Sequence, residues 1–253
     1  MAADSNCTEC RGSGWIYAER DGMESARKCP CILAGRPKEL EQTSQIPPLY
    51  RAVSFENFKL PADNPIARQG LGSAMLSVRS YARDFPNTDK PGLLLVGEPG
   101  TGKTHLAVAA LRILMGRGFE GVFTDYKGLL DRIRSSYDAM SGQSDKEAYQ
   151  QALDAEILLL DDLGAHRVTD WVEDTVTSII TSRCNNRRPL IATTNLPDAD
   201  FGSSMVERNA GPNLSPGMKR SLSEAIGMRA HSRLFEMCRV VRMPAVEDYR
   251  KRR

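Results

Sequence analysis

G-E-P-G-T-G-K-T-H, residues 97–105, follows without a break on the apolar run Leu93-Leu94-Leu95-Val96. Three glycines within six residues let a backbone pass through φ > 0 and come close to another group, at an entropic cost. The spacing Gly97-x-x-x-x-Gly102-Lys103-Thr104 fits the phosphate-binding pattern. Beyond it, Leu106, Ala107, Ala110, Leu111 and Leu114 recur on one face of a helix that stops at Gly116 and Gly118. Strand, glycine turn, helix is the context in which that pattern holds a nucleotide. The turn Glu98-Pro99-Gly100-Thr101-Gly102 would aim its N–H groups at phosphates, aided by the positive end of the helix that begins near Lys103. Lys103 would reach the β- and γ-phosphates and the Thr104 hydroxyl would hold Mg²⁺, which makes ATP the expected ligand. His105 is counted with the nucleotide-binding stretch, although one residue past the turn it also fits a helix-surface or packing role.

Hydrolysis needs acids opposite that turn. Ile157-Leu158-Leu159-Leu160 reads as a buried strand carrying Asp161 and Asp162 at its C-terminal end, where ligands bind in open α/β sheets. Asp161 would join the Mg²⁺ shell and Asp162 would orient or deprotonate the attacking water. A further strand, 121–126, lies between the turn and these acids in sequence, so the acid-bearing strand is not expected beside the loop strand. This is the additional-strand branch of the phosphate-loop proteins. Thr193-Thr194-Asn195 closes another apolar run, 189–195, with side chains able to hydrogen-bond a water or the γ-phosphate; Asn195 is the favoured sensor.

The chain has 253 residues, 41% apolar and 26% charged, enough for one substantial core and a small appended module. No apolar run is long enough to span a membrane and the first residues lack a signal pattern, so a cytoplasmic location is expected. From Gly211 onward ten Lys/Arg stand against four Asp/Glu, ending in Y-R-K-R-R, a balance that fits an anionic partner or a solvated tail. Residues 1–46 read as a module and linker, 47–253 as the main domain, and 200–218 as a flexible loop rich in Gly, Ser, Asn and Pro. Cys7-x-x-Cys10 and Cys29-x-Cys31 can close a tetrahedral structural Zn²⁺ site, which would fold a segment too short for its own core. Four thiolates leave no open position for catalysis. Cys184 and Cys238 read as core residues in helices, and 221–238 reads as one helix before a short strand, 239–243.

Together, 92–109, 157–195 and Met228-Arg229-Ala230-His231-Ser232-Arg233-Leu234 resemble the DnaC/IstB-type AAA+ ATPases, over roughly residues 65–250. The resemblance implies a three-layer α/β sandwich on a parallel sheet, and an ATPase that assembles side by side, with an arginine of one subunit completing the next subunit's site. Arg233 is the expected trans arginine and Arg229 the alternative. It also implies a replicative helicase hexamer and single-stranded DNA as partners, or a transposase if the chain acts as a transposition helper. The N-terminal cysteine module favours the loader reading.

Overall fold

The structure, a computed structural model, describes residues 7–11, 13, 15–20, 23–28, 39–135, 144–197 and 220–251. Near the N-terminus β1 (Trp15–Arg20) and β2 (Met23–Lys28) pair as an antiparallel hairpin, which the polar composition of that region does not announce.

The main domain is built on five parallel strands: β3 (Gly92–Val96), β4 (Gly121–Asp125), β5 (Ile157–Asp161), β6 (Leu190–Thr194) and β7 (Cys238–Arg242). Their order across the sheet is β4-β5-β6-β3-β7. The acid-bearing β5 is therefore separated from the loop-bearing β3 by β6, as the sequence leads one to expect.

Alternation along each strand divides the core into two layers. Leu93, Leu95, Leu159 and Ile191 face α1 (Pro65–Asp84) and α2 (Lys103–Gly116). Leu94, Val96, Leu158, Leu160 and Ala192 face α3 (Tyr126–Ser135), α4 (Ser144–Asp154), α5 (Asp170–Asn185), α6 (Leu222–Ile226) and α7 (Met228–Met237). Both layers are apolar because helices cover a parallel sheet on both sides, leaving no wet face.

The helix starts follow from local chemistry. Asn64 caps α1 by accepting the Ala67 N–H at 2.9 Å, with Pro65 in the first turn, where its missing N–H costs nothing. Thr169 caps α5 by accepting from Val172 N, and Ser221 and Glu224 close a reciprocal capping box on α6.

Three expectations are corrected. The stretch 221–238 is two helices, because Gly227, at φ 82° and ψ 149°, leaves helical space and starts α7 afresh. Cys238 is the buried first residue of β7, and Cys184 on α5 is half-buried. Asp125 ends β4, and α3 begins at once with Tyr126.

The segment before α1 belongs to this core. Leu40 and Ile46 pack into the layer under α2, and the Ser44 carbonyl accepts the Phe123 N–H at 2.7 Å along the outer edge of β4. The Arg112 guanidinium on α2 holds the Val53 carbonyl at 2.6 Å and Glu41 at 3.0 Å. Among the described residues, no helix is long and apolar enough to cross a membrane.

Candidate nucleotide site

The turn after β3 enters α2 through Gly102, whose φ of 89° is left-handed, while Gly100 at the apex has φ 75°. A side chain at either position would be strained, which explains why this turn is glycine-rich. Thr101 Oγ1 donates to the Glu98 carbonyl at 2.9 Å and Lys103 Nζ donates to the same carbonyl at 2.8 Å, so the turn is fixed from inside. Lys103 is buried, and burial lowers its pKa from the ordinary lysine value against the pull of Asp162, Asp161 and Glu98.

β3, β5 and β6 end side by side and bring their terminal residues together. Thr104 Oγ1 donates to Asp161 at 2.9 Å (Oδ1), and Thr193 Oγ1 donates to the same carboxylate oxygen at 2.6 Å. The Thr193 hydroxyl in turn accepts the Asp162 N–H at 3.0 Å. Asp162 itself sits at φ 55°, a left-handed position that aspartate tolerates better than most residues, so successive carboxylates leave the strand in different directions. Asn195 closes the circuit: its Nδ2 donates to Asp162 Oδ1 at 2.8 Å and its Oδ1 accepts from Lys103 Nζ at 2.6 Å. Burial raises the pKa of the Asp161 carboxyl, an effect opposed by the two threonine hydroxyls and Lys103 and reinforced by Asp162.

Lys103, Thr104, Asp161, Asp162 and Asn195 thus form one hydrogen-bonded ring at the C-terminal edge of the sheet. A hard divalent cation takes oxygen ligands, and the paired Thr104 hydroxyl and Asp161 carboxylate are a donor set that fits Mg²⁺.

Several residues depart from their sequence reading. Thr193 and Thr194 are fully buried; Thr193 serves the acids, and Thr194 donates to the Leu163 carbonyl at 2.8 Å. His105 turns away from the phosphate turn: its Nε2 lies 2.8 Å from the Ser54 carbonyl and its ring meets Phe58 edge-on at 5.3 Å. On α7, Arg233 pairs with Glu236 at 2.6 Å and lies near Cys184 of α5, and Arg229 is exposed in the first turn. The ring and these arginines are therefore separate features of one chain.

Cys7 and Cys10 bracket a tight turn in which the Arg11 N–H donates to the Cys7 carbonyl at 2.8 Å. Cys29 and Cys31 lie outside the described residues, as does the whole of the loop expected at 200–218. No cluster of three or more metal-ligating side chains occurs among the described residues.

Two contributions were not foreseen. The Tyr50 hydroxyl, from the segment before α1, lies near Thr104, and burial raises its pKa, reinforced by the charge of Asp161. The Tyr249 N–H donates to the Gly100 carbonyl at 3.2 Å, and the charge of Arg250 acts on Asp162, Lys103 and Tyr50. Tyr50 and Arg250 are visible in the sequence, but nothing local says that either residue folds back toward the loop.

The family model described as IstB-like ATP binding protein matches residues 77–210. The phage-like element PBSX protein XkdC of Bacillus subtilis (strain 168) is 25% identical, over 94% of this chain and 81% of its own. The replicative helicase loader DnaC of Escherichia coli (strain K12) is also 25% identical, over 65% of this chain; the match spans 64% of DnaC, less than two thirds of its length. A crystal structure of the DnaC helicase loader superposes with a TM-score of 0.60 at 29% identity, over 78% of this chain and all of that one. Domain III of the Thermotoga maritima replication initiation protein DnaA, at 18% identity and a TM-score of 0.55, shares the fold. With the matched region covering more than half of its residues and enclosing the phosphate turn, both acids and Asn195, the chain belongs to the IstB-like ATP-binding family.

Proposed function

We propose that this protein is an ATP-hydrolysing AAA+ protein of DNA replication that loads or remodels a hexameric replicative helicase. The observation that carries the reading is the ring of hydrogen bonds running Lys103–Asn195–Asp162–Thr193–Asp161–Thr104 and closed by the backbone between Thr104 and Lys103. A mere nucleotide holder needs the turn and its lysine. An acid fixed by an asparagine that also touches that lysine is the equipment for activating water.

In this reading the N–H groups of the turn and the N-terminus of α2 bind the polyphosphate, and Lys103 exchanges the Glu98 carbonyl and Asn195 for phosphate oxygens. Thr104 and Asp161 would hold Mg²⁺, whose charge would offset that of the phosphates. Asp162 accepts a proton from the attacking water, and Asn195 orients both. Arg233, or Arg229, of a neighbouring copy supplies the guanidinium that offsets charge on the transferring phosphoryl group. The Zn²⁺ module of Cys7, Cys10, Cys29 and Cys31 is the contact for the helicase, and the basic C-terminal region favours single-stranded DNA.

Likeness to a DnaC helicase loader supports the loader reading. The IstB-like family description supports a second one, an ATP-switched adaptor that brings a transposase to DNA. Light scattering after size exclusion separates them, with the chain mixed with the replicative helicase of its own organism in ATP and in ADP. A complex that requires ATP is expected; ATP-dependent assembly on DNA with no helicase complex would assign the adaptor role instead.

A further inference from the structure

After β7 the chain turns back over the phosphate turn. Met243 N–H donates to the Val96 carbonyl at 2.8 Å, Pro244 rests on Gly70 of α1, and Tyr249 N–H reaches the Gly100 carbonyl. A Cβ at Gly100 would collide with the carboxylate and backbone of Asp248, so the bare apex is also the seat of this segment. Asp248 then grips Arg250 three times, accepting from its backbone N at 2.9 Å and from Nε and Nη2 at 3.0 Å each. The aspartate side chain is only 20% exposed and the arginine 69%. Through Asp248, which lies against Gly100, the guanidinium is held beside the turn, its Nε/Nη2 edge occupied by a carboxylate from its own segment.

We propose that Asp248 and Arg250 form a latch that nucleotide must open. Without ligand, Asp248 occupies Arg250 and sets a negative charge against the loop apex; an incoming polyphosphate takes the guanidinium from the aspartate. The Nε/Nη2 edge that Asp248 holds can serve a carboxylate or a phosphate in bidentate fashion, but not both. A largely exposed pair is weak, so the exchange is accessible, and its cost lowers the affinity for ATP by a small factor.

This inference rests on the ATP reading, and calorimetric titration of the full chain with Mg-ATP tests the two separately. Asp248→Asn keeps the shape but loosens the grip; it is expected to tighten ATP binding about threefold to fivefold, the scale of an exposed ion pair. Arg250→Ala is expected to weaken binding, and adding Asp248→Asn to it should then change affinity less than about twofold, because no fork remains to be released. Weaker binding in Asp248→Asn would make the aspartate a positioning group for Arg250 and overturn the latch. The same gain with and without Arg250 would reduce it to a simple field effect and overturn it equally. Melting temperatures of the three variants show that each is folded. A wild-type chain that binds no ATP refutes the nucleotide reading and the latch together, whereas normal wild-type binding matched by Asp248→Asn removes the latch alone.

Discussion

Lys103 meets two oxygens of its own chain, the Glu98 carbonyl and Asn195 Oδ1, and its charge lies among Asp161 and Asp162. Replacing it should cost binding rather than folding: Lys103→Ala is expected to lose Mg-ATP binding by calorimetry while keeping its melting temperature within a few degrees. Normal affinity would refute the assignment of the phosphate turn. Thr193→Val is a sharper probe, because it keeps the volume and removes the hydroxyl shared by Asp161 and the Asp162 backbone. Turnover should fall at least about tenfold with affinity changed little, since misplacing an acid by a fraction of an ångström penalises the transition state more than the ground state. Equal losses in both would show a binding role. Residues 97–105 and 157–162 could be read from the sequence because their chemistry is bound to consecutive backbone. The role of Thr193 could not: a strand-end hydroxyl faces a phosphate or a carboxylate according to which strand lies beside it, and that is settled only when β6 inserts between β5 and β3.

Elements were legible where the apolar period was long and bounded, as in α2 and α5, and less so where one residue breaks a continuing pattern. Apolar positions run through Leu222, Ile226, Ala230 and Leu234, so amphipathicity predicts one helix; Gly227 divides it, and the turn it makes aims α7, with Arg229 and Arg233, along α5. Arg183 is another case. On the last turn of α5 it reads as a surface arginine, yet it is fully buried and donates to the carbonyls of Ala152 (2.9 Å), Ala155 (3.0 Å) and Pro189 (2.5 Å). It ties the end of α4 to the approach of β6. Arg183→Met leaves those carbonyls without donors in a dry interior and should destabilise the fold by on the order of 3 kcal/mol, read from the urea midpoint. Arg183→Lys should recover little, since a point charge cannot span three carbonyls. A change below about 1 kcal/mol in the methionine variant would mean that α4 and β6 are held by packing alone.

At the scale of the whole molecule, the site within one chain holds donors and acids, and the proposed mechanism calls for an arginine from a neighbouring copy. Arg233→Ala should leave Mg-ATP affinity intact and reduce turnover at least about a hundredfold together with ATP-dependent assembly. Retained turnover with loss on Arg229→Ala would move the role one helical turn. Chelation tests the cysteine module: removing Zn²⁺, or Cys7→Ser, should abolish the helicase complex while ATP binding by the main domain persists. Loss of ATP binding as well would mean that the module supports the core. That core reaches back to Leu40, Ser44 and Ile46, which lie across the outer border of β4. A shortened protein beginning near Pro47 would leave the Phe123 N–H without its Ser44 acceptor and uncover the apolar cluster under the border strand, and such an edge can recruit another strand and drive precipitation. Fragments made to isolate the main domain are expected to stay soluble only if they keep Leu40, Ser44 and Ile46.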